Sequence, residues 1–100
     1  MLVIAGVARI DPARRDDAVA AAIEVMTAVR QHPGCNSFVI SADLEDPSAF
    51  LVFQEWHSEE GHREVLTDAT IAAAIARFDA VAVREIDIQR YEISAVGPIV

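Results

Sequence analysis

The chain contains no lysine. All eight of its basic residues are arginines, which excludes Schiff-base chemistry on a lysine amine. Cysteine is almost as scarce: Cys35 stands alone, so neither an internal disulfide nor a thiolate metal cluster can form. Sixteen acids outweigh the arginines and give a net charge of −8, with no basic stripe of the kind that phosphate binding needs, which argues against a nucleic-acid partner. No continuous apolar run approaches the ~20 residues of a membrane-spanning helix. The opening Met-Leu-Val-Ile-Ala-Gly-Val-Ala lacks a basic n-region and runs straight into a strand pattern, unlike a signal peptide, so a cytoplasmic protein is expected. There are no repeats, linkers or low-complexity stretches.

One hundred residues are enough for one domain, 1–100, with one core, and the hydrophobic fraction of 53% is high for that size. Such a surplus on a small surface predicts burial against a partner, in the first instance another copy of the chain.

The periodicity gives the order β-α-β-β-α-β. Residues 2–10 read as a strand with apolar residues on both faces (Ile4, Gly6, Ala8 and Ile10 against Val3, Ala5 and Val7). Asp11-Pro12 is an N-cap followed by proline at the first helical position, and the helix should run to about Gln31, ended by Pro33-Gly34. Its buried stripe is expected along Val19, Ile23 and Met26, widened by Ala18, Ala22, Val25 and Val29. Residues 35–43 alternate as a second strand, 43–48 form an acidic turn, and 49–57 form a third strand. A short helix from Glu59 to about Leu66 precedes a second N-cap at Asp68 and a helix carrying Ile71, Ile75 and Phe78. The fourth strand, 84–94, is the most polar. This order is that of a ferredoxin-like α+β fold, an antiparallel sheet with strands 1 and 3 central and 2 and 4 at the edges. Two helices cover one sheet face; the other requires a second cover, which a partner's sheet would supply.

The segment Phe50 to His62 is the most informative stretch. A strand ends at Trp56, the only tryptophan, and Ser58 with Glu59 and Glu60 opens a helix immediately. A large ring at such a junction can wall a cavity between sheet and helices, and Gln54 shares its strand face. If that face looks toward the helices, an amide and an indole N–H both reach the cavity. His62 is the best candidate base; His57 is expected on the opposite face, and His32 at a helix C-terminus has a structural reason to be there. Phe38 joins the substrate-binding candidates, and Tyr91 is a candidate for either the pocket or an interface. The histidines lack the spacing of a helical metal motif, so no metal is expected.

From end to end the chain resembles the antibiotic biosynthesis monooxygenase family, small dimeric α+β barrels. The resemblance rests on the apolar first strand with its Pro-capped helix, His32-Pro33-Gly34-Cys35, the hairpin at Glu45-Asp46-Pro47, and Phe53-Gln54-Glu55-Trp56. It implies a homodimer and an oxygenase that uses neither metal nor flavin. The family often has glutamate where this chain has Gln54, and usually has histidine where this chain has Val65; His62 lies one turn earlier. Haem-degrading members share the tryptophan but require an asparagine and a histidine at places occupied here by residues near Gly6 and Leu66, which disfavours that activity. The expectation is a cofactor-independent monooxygenase of a small aromatic quinol or phenol, with Gln54 and Trp56 orienting substrate and His62 as base. The rival expectation is a non-catalytic member that binds a small hydrophobic metabolite or fills its cavity with side chains.

Overall fold

A computed structural model describes residues 1–82 and 84–100. Strand β1 (Leu2–Arg9) leads through a 3-10 turn (Pro12–Arg14) into helix α1 (Arg15–Val29). Strands β2 (Cys35–Ala42) and β3 (Ala49–Trp56) form a hairpin, followed by helices α2 (Glu59–Thr67) and α3 (Ala69–Ala82) and strand β4 (Glu85–Glu92). The sheet is antiparallel with order β2-β3-β1-β4, so β1 and β3 are central. This is the ferredoxin-like α+β fold, with all three helices on one face.

Ser58 and Asp68 cap their helices where the sequence puts them, whereas Asp11 caps the 3-10 turn and not α1 itself, whose N-cap position, Arg14, makes no side-chain cap bond. Asp11 accepts from the Ala13 N–H, Ser58 from Gly61, and Asp68 from both Thr70 and Ile71. Each carboxylate or hydroxyl satisfies a backbone donor that the helix itself leaves unpaired. The buried stripe of α1 differs from the expected one. Ala18, Ala21, Ala22, Val25 and Val29 are buried, whereas Ile23 is 54% exposed. Alanine lets α3 approach closely, and Ala74 of α3 is 1% exposed there. The expected stripe was centred on the large side chains, while the helix turns its small ones inward.

Strand β2 is an edge, and its outward backbone groups would be open to pairing with another chain. Helix α1 covers part of that edge: the Arg30 Nε–H donates to the Phe38 carbonyl at 2.9 Å, and the Ile40 N–H reaches the Met26 sulfur at 3.3 Å.

The register defines the helix-facing side of the sheet as four cross-strand rows. Cys35, Trp56, Leu2 and Glu92 form one; Phe38, Gln54, Ile4 and Arg90 the next; then Ile40, Val52, Gly6 and Ile88; and finally Ala42, Phe50, Ala8 and Ile86. Gly6 allows β4 to come close. A Cβ there would stand 2.1 Å from the Asp87 carbonyl oxygen and 2.7 Å from the Ile88 Cα, both backbone atoms that cannot swing aside. Gly6→Ala should therefore cost about 1–3 kcal/mol as an overpacking change. At roughly 4–8 °C per kcal/mol for a domain of this size, the loss is easily measured by thermal denaturation. Gly97→Ala, whose new methyl meets nothing within 4 Å, should leave the melting temperature unchanged.

Candidate functional site

Trp56 ends β3 on its helix-facing side and is completely buried. Burying an indole requires a partner for its N–H, and the partner is local: Nε1–H donates to Gln54 Oε1 at 3.0 Å, two residues back on the same face. The indole N–H is thus used within the protein and does not reach the cavity as a donor, contrary to the sequence expectation that both groups would. The amide of Gln54 does line the cavity.

Two histidine rings meet the indole in edge-to-face geometry, His62 at 5.3 Å and His32 at 6.3 Å between centroids. His32 serves structure. Its Nδ1 accepts from the Gly34 N–H at 3.1 Å, which places any proton of the neutral ring on Nε2, 3.7 Å from the Glu64 carboxylate. His62 comes from the first turn of α2 and lines the cavity. Burial pushes its pKa below the usual imidazole value of 6.5, the Arg90 guanidinium acts in the same direction, and Glu59 partly opposes both. The ring is therefore held in its neutral, proton-accepting form at neutral pH.

The cavity has a volume of about 250 Å³ and lies between the sheet and all three helices. Its inner walls are apolar: Val52, Phe38 and Ile40 from the sheet, Val25 and Val29 from α1, and Phe78 from α3. Leu66, Asp79 and Ile86 also line it and are exposed, so they mark its mouth beside β4. Asp79 was not anticipated from the sequence; a single acid on an alanine-rich helix carries no motif. Partial desolvation at the mouth pushes its carboxyl pKa up. Arg90 was also missed. It reaches from β4 to Glu59 of α2 at 2.7 Å, and also pairs with Glu92. With Arg63 also on Glu59, that carboxyl is held at about 2.

Of the other anticipated residues, Phe38 lines the cavity. Tyr91 does not: it lies on the opposite sheet face, where its hydroxyl donates to Gln89 at 3.3 Å. Strand alternation separates it from Arg90 and puts the phenol out of reach of the cavity. His57 is exposed, and Cys35 is half-buried with its thiol pKa raised by burial. Val65 is buried and lines the cavity. Among the described residues no three His, Cys, Asp or Glu side chains are grouped to hold a metal, and no helix is long and apolar enough to cross a membrane.

This topology, with an apolar cavity between sheet and helices, places the chain among the ferredoxin-like α+β proteins. Within that class it belongs to the antibiotic biosynthesis monooxygenase family, whose model matches residues 1–77. A candidate antibiotic biosynthesis monooxygenase from Deinococcus radiodurans superposes with a TM-score of 0.87 at 22% identity, covering 100% of this chain and 99% of that one. Another from Chloroflexus aurantiacus gives 0.77 at 26% identity, covering 98% and 97%. One from Nitrosomonas europaea gives 0.84 at 16%, covering 95% and 100%. No curated protein matches the chain.

The depressed pKa of His62 has a consequence for stability. Below about pH 6.5 the unfolded chain takes up a proton that the folded ring resists. Stability should fall as pH drops from that value toward the folded pKa, with no further loss from this group below it. In urea unfolding between about pH 7 and pH 5, His62→Gln should lose less stability than the wild type. Equal losses would mean that the ring titrates as it does in the unfolded chain.

Proposed function

We propose that the protein is a cofactor-independent monooxygenase acting on a small aromatic quinol or phenol, and that it works as a homodimer. The observation that carries the reading is the cavity of about 250 Å³, apolar except for Gln54, His62 and Asp79, in a chain of this family. An apolar cavity near 150 Å³ is enough to hold benzene, so a substituted single ring has room here, with its longer substituents directed through the mouth.

In this mechanism the substrate itself is the reductant. Neutral His62 accepts the hydroxyl proton, and the electron-rich anion reduces dioxygen. One oxygen atom is inserted at a ring carbon and the other leaves as water; all four electrons come from the ring, so a phenol becomes a quinone and a quinol becomes a hydroxyquinone. Phe38 and the buried face of Trp56 hold the ring, Gln54 holds an oxygen, and the dry walls strengthen both interactions. A second reading, a binding protein without catalysis, is favoured by one observation: Gln54 and Val65 stand where the family often has glutamate and usually has histidine.

Metal-stripped protein should consume dioxygen with an electron-rich quinol faster than buffer does. General-base assistance is worth ~10²–10⁴-fold, so folded His62→Ala should lose most of that rate. Full activity in that variant would reject His62 as base, and no uptake across a quinol panel would favour the binding protein.

The dimer is supported by the open sheet face, where Leu51, Phe53 and Tyr91 are exposed beside half-buried Val3, Ala5 and Val7. Face-to-face packing of two such sheets should bury more than ~1,000 Å² in total. Light scattering at micromolar concentration should give twice the chain mass, and Phe53→Glu should shift the protein toward monomer.

A further inference from the structure

Gln54 carries one oxygen and one NH2 group, and the structure determines which of them meets a ligand. The indole N–H can only donate, so it faces Oε1, at 3.0 Å. The NH2 group is then directed elsewhere. It has no hydrogen-bond partner among the described residues, yet it is not sealed in: among these residues the buried side-chain nitrogen or oxygen that lacks a partner is Arg15 Nε. Gln54 is half-buried and lines the cavity, and with Oε1 taken by the indole, Nε2 is the polar atom it has left to offer a ligand there.

We infer that Gln54, locked by Trp56, is the donor that selects ligands by an acceptor oxygen, and that this oxygen is preferentially an anionic phenolate. A glutamate at this position would turn two acceptor oxygens to the same two neighbours. It would keep the indole satisfied while presenting negative charge to the ligand. The neutral amide reverses that polarity at the one place where β3 offers the cavity a polar group. The inference rests on the reading of the cavity as a phenol site and adds to it the identity of the donor and the ionisation state it favours.

The other charged or titratable groups around the cavity come from different elements. His62 of α2 and Asp79 of α3 line it, Glu59 of α2 and Arg90 of β4 act on His62 from outside the lining, and the lining residues of α1, β1 and β2 are apolar. Arg90 is paired with Glu59 and Glu92, which leaves Gln54 as the unpaired donor on the sheet side.

The test uses 4-nitrophenol, whose two protonation states absorb differently in visible light, and toluene as an apolar probe of the same cavity. Gln54→Glu preserves the acceptor for Trp56 and exchanges the donor for a negative charge, whereas Gln54→Met removes the donor without adding charge but also removes the indole's acceptor, so that variant is first checked for an unchanged fold by thermal denaturation. Hydrogen bonds to charged groups are strong enough that each variant should bind 4-nitrophenolate about 10-fold or more weakly than the wild type. In Gln54→Glu the bound probe should also titrate at least about one pH unit higher than in the wild type. Toluene binding should be unchanged in both, which also shows that the cavity is intact. Equal binding of phenolate by wild type and variants would overturn the donor assignment, and so would parallel loss of toluene, which would make Gln54 a packing residue. Failure of the wild type to bind either probe would reject the phenol site and the donor together. Oxygen uptake with a quinol is scored separately, so oxygenation can survive loss of the donor assignment, and the reverse.

Discussion

The hydrogen bond from Trp56 to Gln54 is the constraint around which this end of the molecule is arranged. An indole buried to 0% exposure must have its N–H satisfied. At the end of a strand the nearest group on the same face is the side chain two residues earlier. Supplying the acceptor from there leaves α2 free to fold back over the ring without contributing a polar group of its own. It also pins the glutamine in one orientation, so a requirement of folding sets the polarity of the cavity.

The return of α2 is in turn a matter of backbone clearance. The turn after α1 and the first turn of α2 touch through two glycines: a Cβ on Gly34 would lie 3.2 Å from the Gly61 Cα, and one on Gly61 3.4 Å from the Gly34 Cα. Gly34 accepts from the His57 N–H, and His32 from the Cys35 N–H, so the turn and the strand end are tied together. With the first turn of α2 set against that turn, His62 follows Gly61 directly onto the indole. The Glu59–Arg90 pair ties the same turn to β4 at the far side of the cavity. As a half-exposed ion pair it adds little stability; the start of the helix is set by the Ser58 cap.

Most of the architecture was legible because each element carries its own signal. Asp11-Pro12, Ser58 and Asp68 start helices for reasons that hold within a few residues, and the two-sided apolar pattern of β1 and β3 identifies the central strands. What could not be read depends on distance between elements. The outward turn of Ile23 reflects the close approach of α3 to the alanines of α1, which no periodicity on α1 alone records. Asp79 borders the cavity and Arg90 acts on His62 because of how α3 and β4 are placed, and nothing in their local sequence distinguishes them from other surface charges. The use of the indole N–H by Gln54 was within reach of the sequence, since two residues on one strand face are always neighbours. The signal is the shared face, which by itself does not distinguish two groups aimed at a ligand from two aimed at each other.

The fold also couples two properties that deprotonating a phenol would require. Apolar walls keep water away from the ring, and the same burial is the largest cause of the lowered His62 pKa, which keeps that ring neutral and able to accept a proton. The Arg90 guanidinium strengthens the effect, because its positive charge disfavours imidazolium at His62 while Glu59 holds Arg90 in place. A carboxylate at position 54 would work against this arrangement, since a nearby negative charge stabilises the protonated imidazole and destabilises a phenolate. With glutamine there, the polar groups deep in the cavity are a neutral donor and a neutral acceptor, and the anion expected between them would be the ligand's own.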